Sequence, residues 1–565
     1  MGMQRLLTVT ALSALFLSST AAAQPWWKDA VVYEIYPRSF QDTNGDGVGD
    51  LNGITQRLDY LKALGVDAIW LTPVYPSPQV DFGYDISDYK AIDPQYGTLK
   101  DFDGMVAEAK KRHIRVIMDL VLNHTSDKHA WFEESKSSRS SAKRAWYIWR
   151  DGKGPGLPPN NWESLFGHSA WQNNASTGQW YYHKFYVQQP DLNWRNPEVR
   201  TAMYDVEKFW IERGVEGFRL DAITTLFEDP ELRNENVVNA PDGKPEINAF
   251  GDVRLDNSRT DNLPEVHDVL RDLHRVAAGY KGRNVIIIGE TYLTSIADLQ
   301  RMYGADGNEI DLPMDTQVGV VGKFDATEMR ARIEEAESLP KEDQPLFVFD
   351  NHDNPRLDRF GDGVHNTEIA KVIAAVLFAS RDTALFYYGD EIGMATTPPA
   401  RKEDVRDPIG IIGWPKEKGR DGERTPMQWT AAPNAGFTKP GTQTWLPIPA
   451  SAASVNVAAE LQNPHSMLTW YKRLIALKHH NAALHSGSET ILDRTNPHVL
   501  SWLRQTGDEK VVVACNFTAE SQHVSLDLGT RGHVKVLLAS PGVAAPHSLR
   551  DFTLPAFGVV IARLG

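Results

Sequence analysis

The segment from residue 31 to residue 122 decides the fold, because short apolar runs alternate in it with a helical pattern: VVYEIY (31–36), RLDYLKAL (57–64), AIWL (68–71) and RVIMDLVL (115–122). In 57–64 the apolar residues recur at the spacing of a helix face, and Gly65 follows as a typical helix end. The other three runs are predicted strands. A strand–helix–strand order of this kind favours a sheet of parallel strands.

The same order continues to about residue 485. It gives further predicted strands at 217–220, 285–288, 346–349 and 384–388, and predicted helices at 102–111 and 368–379. The run VIII at 285–288 is apolar on both faces, as parallel strands covered by helices require. Because the chain contains neither GxGxxG nor a P-loop, we predict an α/β protein with a (β/α)8 TIM barrel rather than a doubly wound sheet.

Two regions interrupt this rhythm. Residues 125–194 are rich in Trp, Gly, Asn and Pro, and we interpret them as a domain inserted after strand 3, on the face where barrel active sites lie. From residue 486 the pattern has period two, as in KVVVACN (510–516), which predicts a C-terminal antiparallel β-domain. The predicted domains are therefore a signal peptide (1–23), the first part of the barrel (24–124), the inserted substrate-site domain (125–194), the second part of the barrel (195–485) and the β-domain (486–565).

The first residues have the features of a secretory signal peptide. Arg5 precedes an apolar run at 6–17, and Ala21–Ala23 offers a cleavage site. The run is too short to span a bilayer as a helix. We therefore expect an exported protein, periplasmic or secreted.

Composition excludes several classes of protein. Of the 565 residues 41% are hydrophobic, which suffices for a large core and is not typical of a disordered chain. A formal net charge of −15 argues against nucleic acid or an anionic membrane as a partner. The single cysteine, Cys515, excludes an internal disulfide framework and a Cys-based zinc site. The oligomeric state stays undetermined.

Polar residues mark the ends of the predicted strands. They are Asp119, His124, Arg219, Asp221, Glu290, His352 and Asp353. Each lies in or just after an apolar run, where a charge is costly unless it serves a site or an ion pair. Any one carboxylate alone fits a structural ion pair, but four carboxylates, two histidines and an arginine at one barrel face predict a catalytic site. Asp221 and Glu290 lie on consecutive strands about 5 Å apart, within reach of the separation of a retaining glycosidase pair.

The residues around these positions resemble the α-amylase family of glycoside hydrolases, in its oligo-1,6-glucosidase and α-glucosidase branch. The matching segments follow the family's order over nearly the whole chain after residue 23: GDLNGI (49–54), DLVLNH (119–124), QPDLN (189–193), GFRLDAI (217–223), IIGET (287–291), FDNHD (349–353) and GDEIGM (389–394). Together they are highly specific.

The resemblance implies a role for each site residue. Asp221 is expected to be the nucleophile, Glu290 the general acid/base, and Asp353 the carboxylate that stabilises the transition state and orients the sugar. The residues expected around the bound glucose are Tyr84, His124, Phe166, Phe185, Arg219 and His352. The pair Asp81 and Arg420 would grip the non-reducing end and close the site into a pocket, which implies exo-attack on short substrates.

Chemistry explains these residue types. Glu290 must be protonated to assist the leaving oxygen, so burial and neighbouring carboxylates should raise its pKa. Asp221 must be ionised to attack, and Arg219 on the same strand face should hold it so. Water then hydrolyses the glycosyl-enzyme with Glu290 as base. No organic cofactor is required.

A second set of oxygen donors lies at DTNGDGVGD (42–50). Spacing alone favours a solvated turn, since position 12 is Gly53 rather than the Glu of an EF-hand. The resemblance implies instead a structural calcium ion, with magnesium possible, because family members carry such an ion in this segment. The expected ligands are Asp42, Asn44, Asp46, Val48 and Asp50.

We therefore expect an exo-acting, retaining α-glucosidase acting on small α-glucosides. Relatives that prefer α-1,6 linkages usually carry Val after the nucleophile, whereas this chain has Ala222, which favours maltose-type α-1,4 linkages and leaves α-1,6 linkages and sucrose open. The alternatives are a transglucosylase or isomerase of the trehalose synthase or sucrose isomerase kind, an endo-amylase, disfavoured by Asp81 and Arg420, and a non-catalytic binding subunit, which would lack the three carboxylates.

Overall fold

Eight parallel strands form the central sheet of the computed structural model, which describes residues 25–320, 322–526, 528 and 533–565. The strands are Val31–Ile35, Ala68–Leu71, Arg115–Val121, Gly217–Asp221, Ile286–Gly289, Leu312–Asp315, Leu346–Phe347 and Ala384–Tyr387. Each pairs with its predecessor except the eighth, which pairs with the first and is tied to the seventh by the hydrogen bond from Thr383 N–H to the Pro345 carbonyl. The barrel is thus nearly closed, and the predicted fold class is confirmed.

A helix follows each barrel strand and covers its outer face. These helices are Leu51–Leu64, Leu99–Lys111, Pro197–Glu212, Val266–Gly279, Ile296–Arg301, Ala326–Ala336, Asn366–Ala379 and Met467–His480. The first begins at the N-cap Asp50, whose side chain accepts from Gly53 N–H. It ends at Gly65, whose φ of 101° lies in the left-handed region that glycine adopts without strain. Local sequence signals therefore set both ends of this helix.

The barrel interior is apolar in its lower part and polar at the carboxyl ends of the strands. Val32, Trp70, Ile117, Ile288 and seven other residues pack there into one buried cluster. Side chains alternate along a strand, so the next inward positions after Val32 and Ile117 are Glu34 and Asp119. The upper layer of the barrel therefore carries charged groups directly beneath the candidate site.

The region from 125 to 194 lies between the third strand and its helix. It contains the short helix Ala130–Ser137 and a three-stranded antiparallel sheet of Trp149–Arg150, Trp171–Asn174 and Gln179–Tyr182. Its aromatic side chains pack on one another, for example Trp162 on Trp171 with ring centroids 5.9 Å apart. This packing explains why the segment is compact without a regular hydrophobic period.

The C-terminal region is an antiparallel β-domain, as predicted. A five-stranded sheet has the order Ser488–Ile491, Val499–Thr506, Glu509–Asn516, Val559–Leu564 and Val534–Ala539, and Gln522–Val524 pairs with Phe552–Leu554. Cys515 is buried in this domain. The remaining short helices are Pro37–Phe40, Pro408–Gly413, Val457–Glu460 and Ala482–Ser486.

Two expectations concern membranes and export. Within the described ranges, no helix has both the length and the apolar character that crossing a bilayer demands. The expected signal peptide at 1–23 lies outside the described residues.

Candidate active site

Three carboxylates surround one buried guanidinium at the carboxyl ends of the strands. Arg219 Nη1 lies 3.1 Å from Asp119 Oδ1 and 2.5 Å from Asp221 Oδ1, and Arg219 Nη2 lies 2.6 Å from Glu290 Oε1. The three residues come from neighbouring strands, so the sheet register alone brings them together. The Arg219 side chain is fully buried. Asp221 and Glu290 therefore lie side by side, as a retaining glycosidase requires.

Asp119 supports this arrangement from below. Its Oδ2 accepts hydrogen bonds from Tyr84 OH at 3.0 Å and from Trp70 Nε1 at 3.3 Å. The Arg219 guanidinium also lies over the Trp70 ring, 5.0 Å from its centroid. Asp119 thus fixes Arg219 and does not face the pocket.

Asp353 is held from two sides. Its Oδ1 accepts from Arg420 Nη1 at 2.9 Å and from Arg424 Nη2 at 2.7 Å. Its Oδ2 lies 3.3 Å from His352 Nε2. Burial acts to raise the pKa of Asp353, but His352 and the two arginines outweigh it and lower the pKa below its ordinary value. Asp353 is therefore ionised at neutral pH.

A second ion cluster, centred on Arg420, lies beside Asp353. Arg420 Nη2 lies 2.8 Å from Asp81 Oδ1, and Arg420 Nε lies 2.8 Å from Asp407 Oδ2. Gln189 Nε2 donates to the other Asp81 oxygen at 3.0 Å. Because Arg420 also reaches Asp353, this cluster is continuous with the predicted catalytic carboxylates.

A cavity of about 390 Å³ joins these residues. Nine of the eleven predicted catalytic and sugar-binding residues line it: Asp81, Tyr84, His124, Phe166, Phe185, Asp221, Glu290, Asp353 and Arg420. Arg219 and His352 do not. Both are fully buried behind the lining, where Arg219 Nη1 and Nη2 lie beside carboxylates and His352 lies between Glu34 and Asp353. The structure therefore assigns them contacts with carboxylates rather than with the cavity.

Other lining residues were not among the predicted set. Leu165, Ala222, Thr224, Thr225, Asp261, Tyr292 and Ile409 complete the cavity wall. Most lie in loops without a hydrophobic period, so apart from Ala222 the sequence carried no local signal for them. Asp407 and Arg424, which hold Arg420 and Asp353, were missed for the same reason.

The residue after the predicted nucleophile has an unusual backbone. Ala222 has φ 44° and ψ 40°, in the left-handed region. Its N–H donates to Glu290 Oε2 at 2.8 Å. Left-handed backbone is costly for a residue other than glycine, and such strain is concentrated at functional sites. The turn at Ala222 thus aims a backbone donor at the predicted acid/base.

Protonation of the two central carboxylates follows from burial. Burial raises the pKa of Glu290 to about 7 against the opposing charge of Arg219, and the charges of Asp221 and Asp353 add to the rise. Burial likewise raises the pKa of Asp221, although Arg219 lowers it. The expectation that Arg219 alone keeps Asp221 ionised was therefore too simple. Asp221 accepts a hydrogen bond from Arg219, while Glu290 accepts one from Ala222 N–H and lies 2.6 Å from Arg219 Nη2, so hydrogen bonding does not distinguish the two carboxyl groups.

The predicted calcium loop is tied down by its own backbone. Asp42 accepts from the N–H groups of Gly45 and Gly47, Asn44 from Asp46 N–H, Asp46 from Val48 N–H, and Asp50 from Thr43 N–H and Gly53 N–H. Asp42 and Asp50 are buried, whereas Asn44 and Asp46 are exposed. In the ranges the structure covers, no three His, Cys, Asp or Glu side chains are gathered so as to hold a metal ion. The donor chemistry is oxygen throughout, as calcium prefers.

Comparison with known proteins identifies the family. The model of the alpha-amylase catalytic domain matches residues 34–487, and that of the maltogenic amylase C-terminal domain matches residues 490–561. The chain therefore belongs to the α-amylase family of glycoside hydrolases.

Similar curated proteins are α-glucosidase-type hydrolases. The chain is 40% identical to a probable alpha-glucosidase of Rhizobium meliloti, over 95% of this chain and 97% of that protein. It is also 40% identical to the oligo-1,6-glucosidase of Parageobacillus thermoglucosidasius, over 88% and 91%. The trehalose-6-phosphate hydrolase of Bacillus subtilis is 37% identical, over 96% and 98%.

Similar solved structures include enzymes that transfer or bind sugars. The alpha-glucosyl transfer enzyme XgtA is 37% identical, with a TM-score of 0.86 over 96% of this chain and 100% of that chain. An inactive MutB double mutant in complex with isomaltulose is 33% identical, with a TM-score of 0.85 over the same shares.

The pKa of Glu290 predicts how activity depends on pH. An acid must be protonated to act, so kcat/KM should fall as pH rises through about 7, the pKa to which burial raises Glu290. The profile is measured with maltose. As a control, Glu290→Gln is assayed with α-glucosyl fluoride, whose leaving group needs no proton, and the basic limb should vanish. An unchanged basic limb in Glu290→Gln would assign it to another group.

Proposed function

We propose that this protein is an exo-acting, retaining α-glucosidase that hydrolyses short α-glucosides, with α-1,4 linkages first. The observation that carries the proposal is that the buried ion pair of Arg420 and Asp81 lines the same cavity as Asp221, Glu290 and Asp353. We infer that this ion pair closes one end of the cavity. A substrate can therefore enter only with a chain end.

The closed end is rigid because Arg420 is shared by three carboxylates, Asp81, Asp353 and Asp407. Its side chain is only 12% exposed. Opening this end to a longer glucan would break buried charge pairs, which costs about 3–5 kcal/mol when one partner is lost. This cost supports exo-attack over the endo-amylase alternative.

The charge of the cavity favours neutral substrates over sugar phosphates. Among the described residues that line it, the acidic ones are Asp81, Asp221, Asp261, Glu290 and Asp353, and the one Lys or Arg is Arg420, already paired. A phosphate group on the leaving sugar would find carboxylates and no available cation. This argues against the activity named for the trehalose-6-phosphate hydrolase relative.

Transglucosylation remains the second candidate. Leu165 and Tyr292 line the cavity and are 43% and 47% exposed, so the mouth presents apolar surface on which an acceptor could compete with water. The similarity to a glucosyl transfer enzyme supports this candidate. Hydrolysis and transfer share the covalent intermediate and differ only in the acceptor.

The proposal predicts the first product. With equimolar maltose and isomaltose, proton NMR in the first minutes should show α-glucose, released faster from maltose, because a retaining enzyme keeps the anomeric configuration. Asp221→Asn should release none. Early β-glucose would contradict a retaining mechanism, and new disaccharide without free glucose would make the enzyme a transglucosylase.

Ala222 gives a prediction about linkage preference. Ala222→Val adds bulk beside Asp221 at the cavity wall, and the ratio of kcat/KM for maltose to that for isomaltose should fall about tenfold. Because the ratio is taken on one preparation, it does not depend on the folded fraction. Ala222→Gly, which accepts φ > 0 without added bulk, should keep the wild-type ratio. If Ala222→Val leaves the ratio of kcat/KM for maltose to that for isomaltose unchanged, Ala222 does not determine the linkage preference.

We also propose that the loop at 42–50 binds a calcium ion with a structural role. The support is its oxygen donors on alternate residues and the exposure of Asn44 and Asp46, whose hydrogen bonds within the loop would give way to an ion. The loop lies at the base of the first barrel helix, whose N-cap is Asp50. An ion there would steady the start of that helix.

Metal removal tests the calcium site. Calcium added after chelator treatment should raise the melting temperature of the wild type, and Asp46→Ala should abolish the rise. Magnesium at equal concentration should raise the melting temperature less than calcium does, since magnesium requires a stricter coordination geometry. A melting temperature that changes neither with chelator nor with added calcium would contradict the proposal that this loop binds calcium.

Export is likewise a proposal. It rests on Arg5, the apolar run at 6–17 and Ala21–Ala23.

A further inference from the structure

A carboxyl group lies inside the barrel directly below the site. Glu34, on the first strand, stands beside Trp70 of the second strand and Tyr387 of the eighth. Its side chain has no exposure to solvent. A carboxyl group is costly in this place unless it is paired or protonated.

Glu34 has one direct partner that leads to the site. Its Oε1 lies 2.6 Å from His352 Nδ1, and within the described part of the chain Oε2 has no hydrogen-bond partner. The imidazole of His352 is stacked against Tyr84 on one side and Tyr36 on the other, with ring centroids 5.3 and 5.8 Å away. These contacts hold the ring in place. The question that follows is which ring nitrogen of His352 carries a proton.

The other nitrogen of His352 faces two oxygens. Nε2 lies 2.7 Å from Tyr84 OH and 3.3 Å from Asp353 Oδ2. Tyr84 has one hydroxyl proton to donate. Besides His352, the Tyr84 hydroxyl contacts Asp119 Oδ2, and the Asp119 carboxylate, which is bound to Arg219, can only accept a hydrogen bond. The Tyr84 proton therefore points to Asp119, and Nε2 must be the donor toward Tyr84 and Asp353.

A proton on Nε2 leaves Nδ1 of a neutral imidazole as an acceptor, so Glu34 has to donate. Burial supports this distribution. It raises the pKa of Glu34 well above its ordinary range and lowers the pKa of His352 well below its own. Glu34 is then a neutral acid, and His352 a neutral base in a fixed tautomer.

We propose that Glu34 is a positioning residue for the glycosidase reaction: its carboxyl proton, donated to His352 Nδ1, keeps the Nε2 proton directed at Asp353. Arg420 and Arg424 hold Asp353 Oδ1, and His352 holds Oδ2. The orientation of Asp353 toward the cavity thus depends on a residue that does not touch the cavity. The inference rests on the proposed function only through its kinetic readout.

Two substitutions at Glu34 distinguish the effect of its hydrogen-bond donor from the effect of its side-chain volume. The amide of Glu34→Gln can still donate to Nδ1, whereas Glu34→Met has similar length and no polar hydrogen. With 4-nitrophenyl α-glucoside at pH 7, Glu34→Gln should stay near the wild-type kcat, and Glu34→Met should lose about 10–100-fold. In a His352→Phe background, Glu34→Met should add little further loss, because its effect passes through His352.

The histidine tautomer gives a readout that does not need activity. In protein labelled with ¹⁵N-histidine, and assigned against His352→Phe, His352 should show a protonated Nε2 in the wild type and in Glu34→Gln. A protonated Nδ1 in the wild type, equal losses in the Gln and Met variants, or additive effects of Glu34→Met and His352→Phe would each overturn the proposal. If the wild type cleaves no glucoside, the proposed function fails while the ¹⁵N signals still decide the role of Glu34.

Discussion

One buried guanidinium, that of Arg219, fixes the geometry on which the rest of the site depends. Isolated in the barrel, it would cost several kcal/mol, and so would each of the carboxylates beside it. The guanidinium and the carboxylates stabilise one another, because three neighbouring strands place Asp119, Asp221 and Glu290 around Arg219. The strand register and the candidate active site are therefore one constraint: a shift of one residue would turn each charged group to the opposite face of the sheet.

The same charges shape the chemistry. Two arginine-centred clusters, at Arg219 and Arg420, hold carboxylates of a cavity that is lined by more carboxylates than cations. Such a cavity favours the positive charge that develops in an oxocarbenium-like transition state. It also explains why Glu290 keeps a proton near neutral pH, since a further negative charge there would be repelled by Asp221 and Asp353.

Much of this could be predicted from the sequence, for a physical reason. Strands buried on both faces leave unbroken apolar runs, so a charge at the end of a run, such as Asp221 or Glu290, stands out. The sixth strand, Leu312–Asp315, was missed because four residues containing a proline carry no pattern. Loop residues such as Asp407 were missed because only tertiary structure brings them to Arg420. Glu34 did carry a signal, a charge inside the run VVYEIY, and its partner His352 is more than 300 residues away.

The central claim is that Asp221, held by Arg219, attacks the sugar and forms a covalent glucosyl-enzyme. The most direct test is to trap that intermediate with 5-fluoro-α-glucosyl fluoride and locate the label by peptide mass spectrometry. The account predicts a fluoroglucosyl ester on Asp221, formed faster than it is hydrolysed. A label on Glu290, or glucoside turnover with no covalent adduct under any trapping condition, would contradict it.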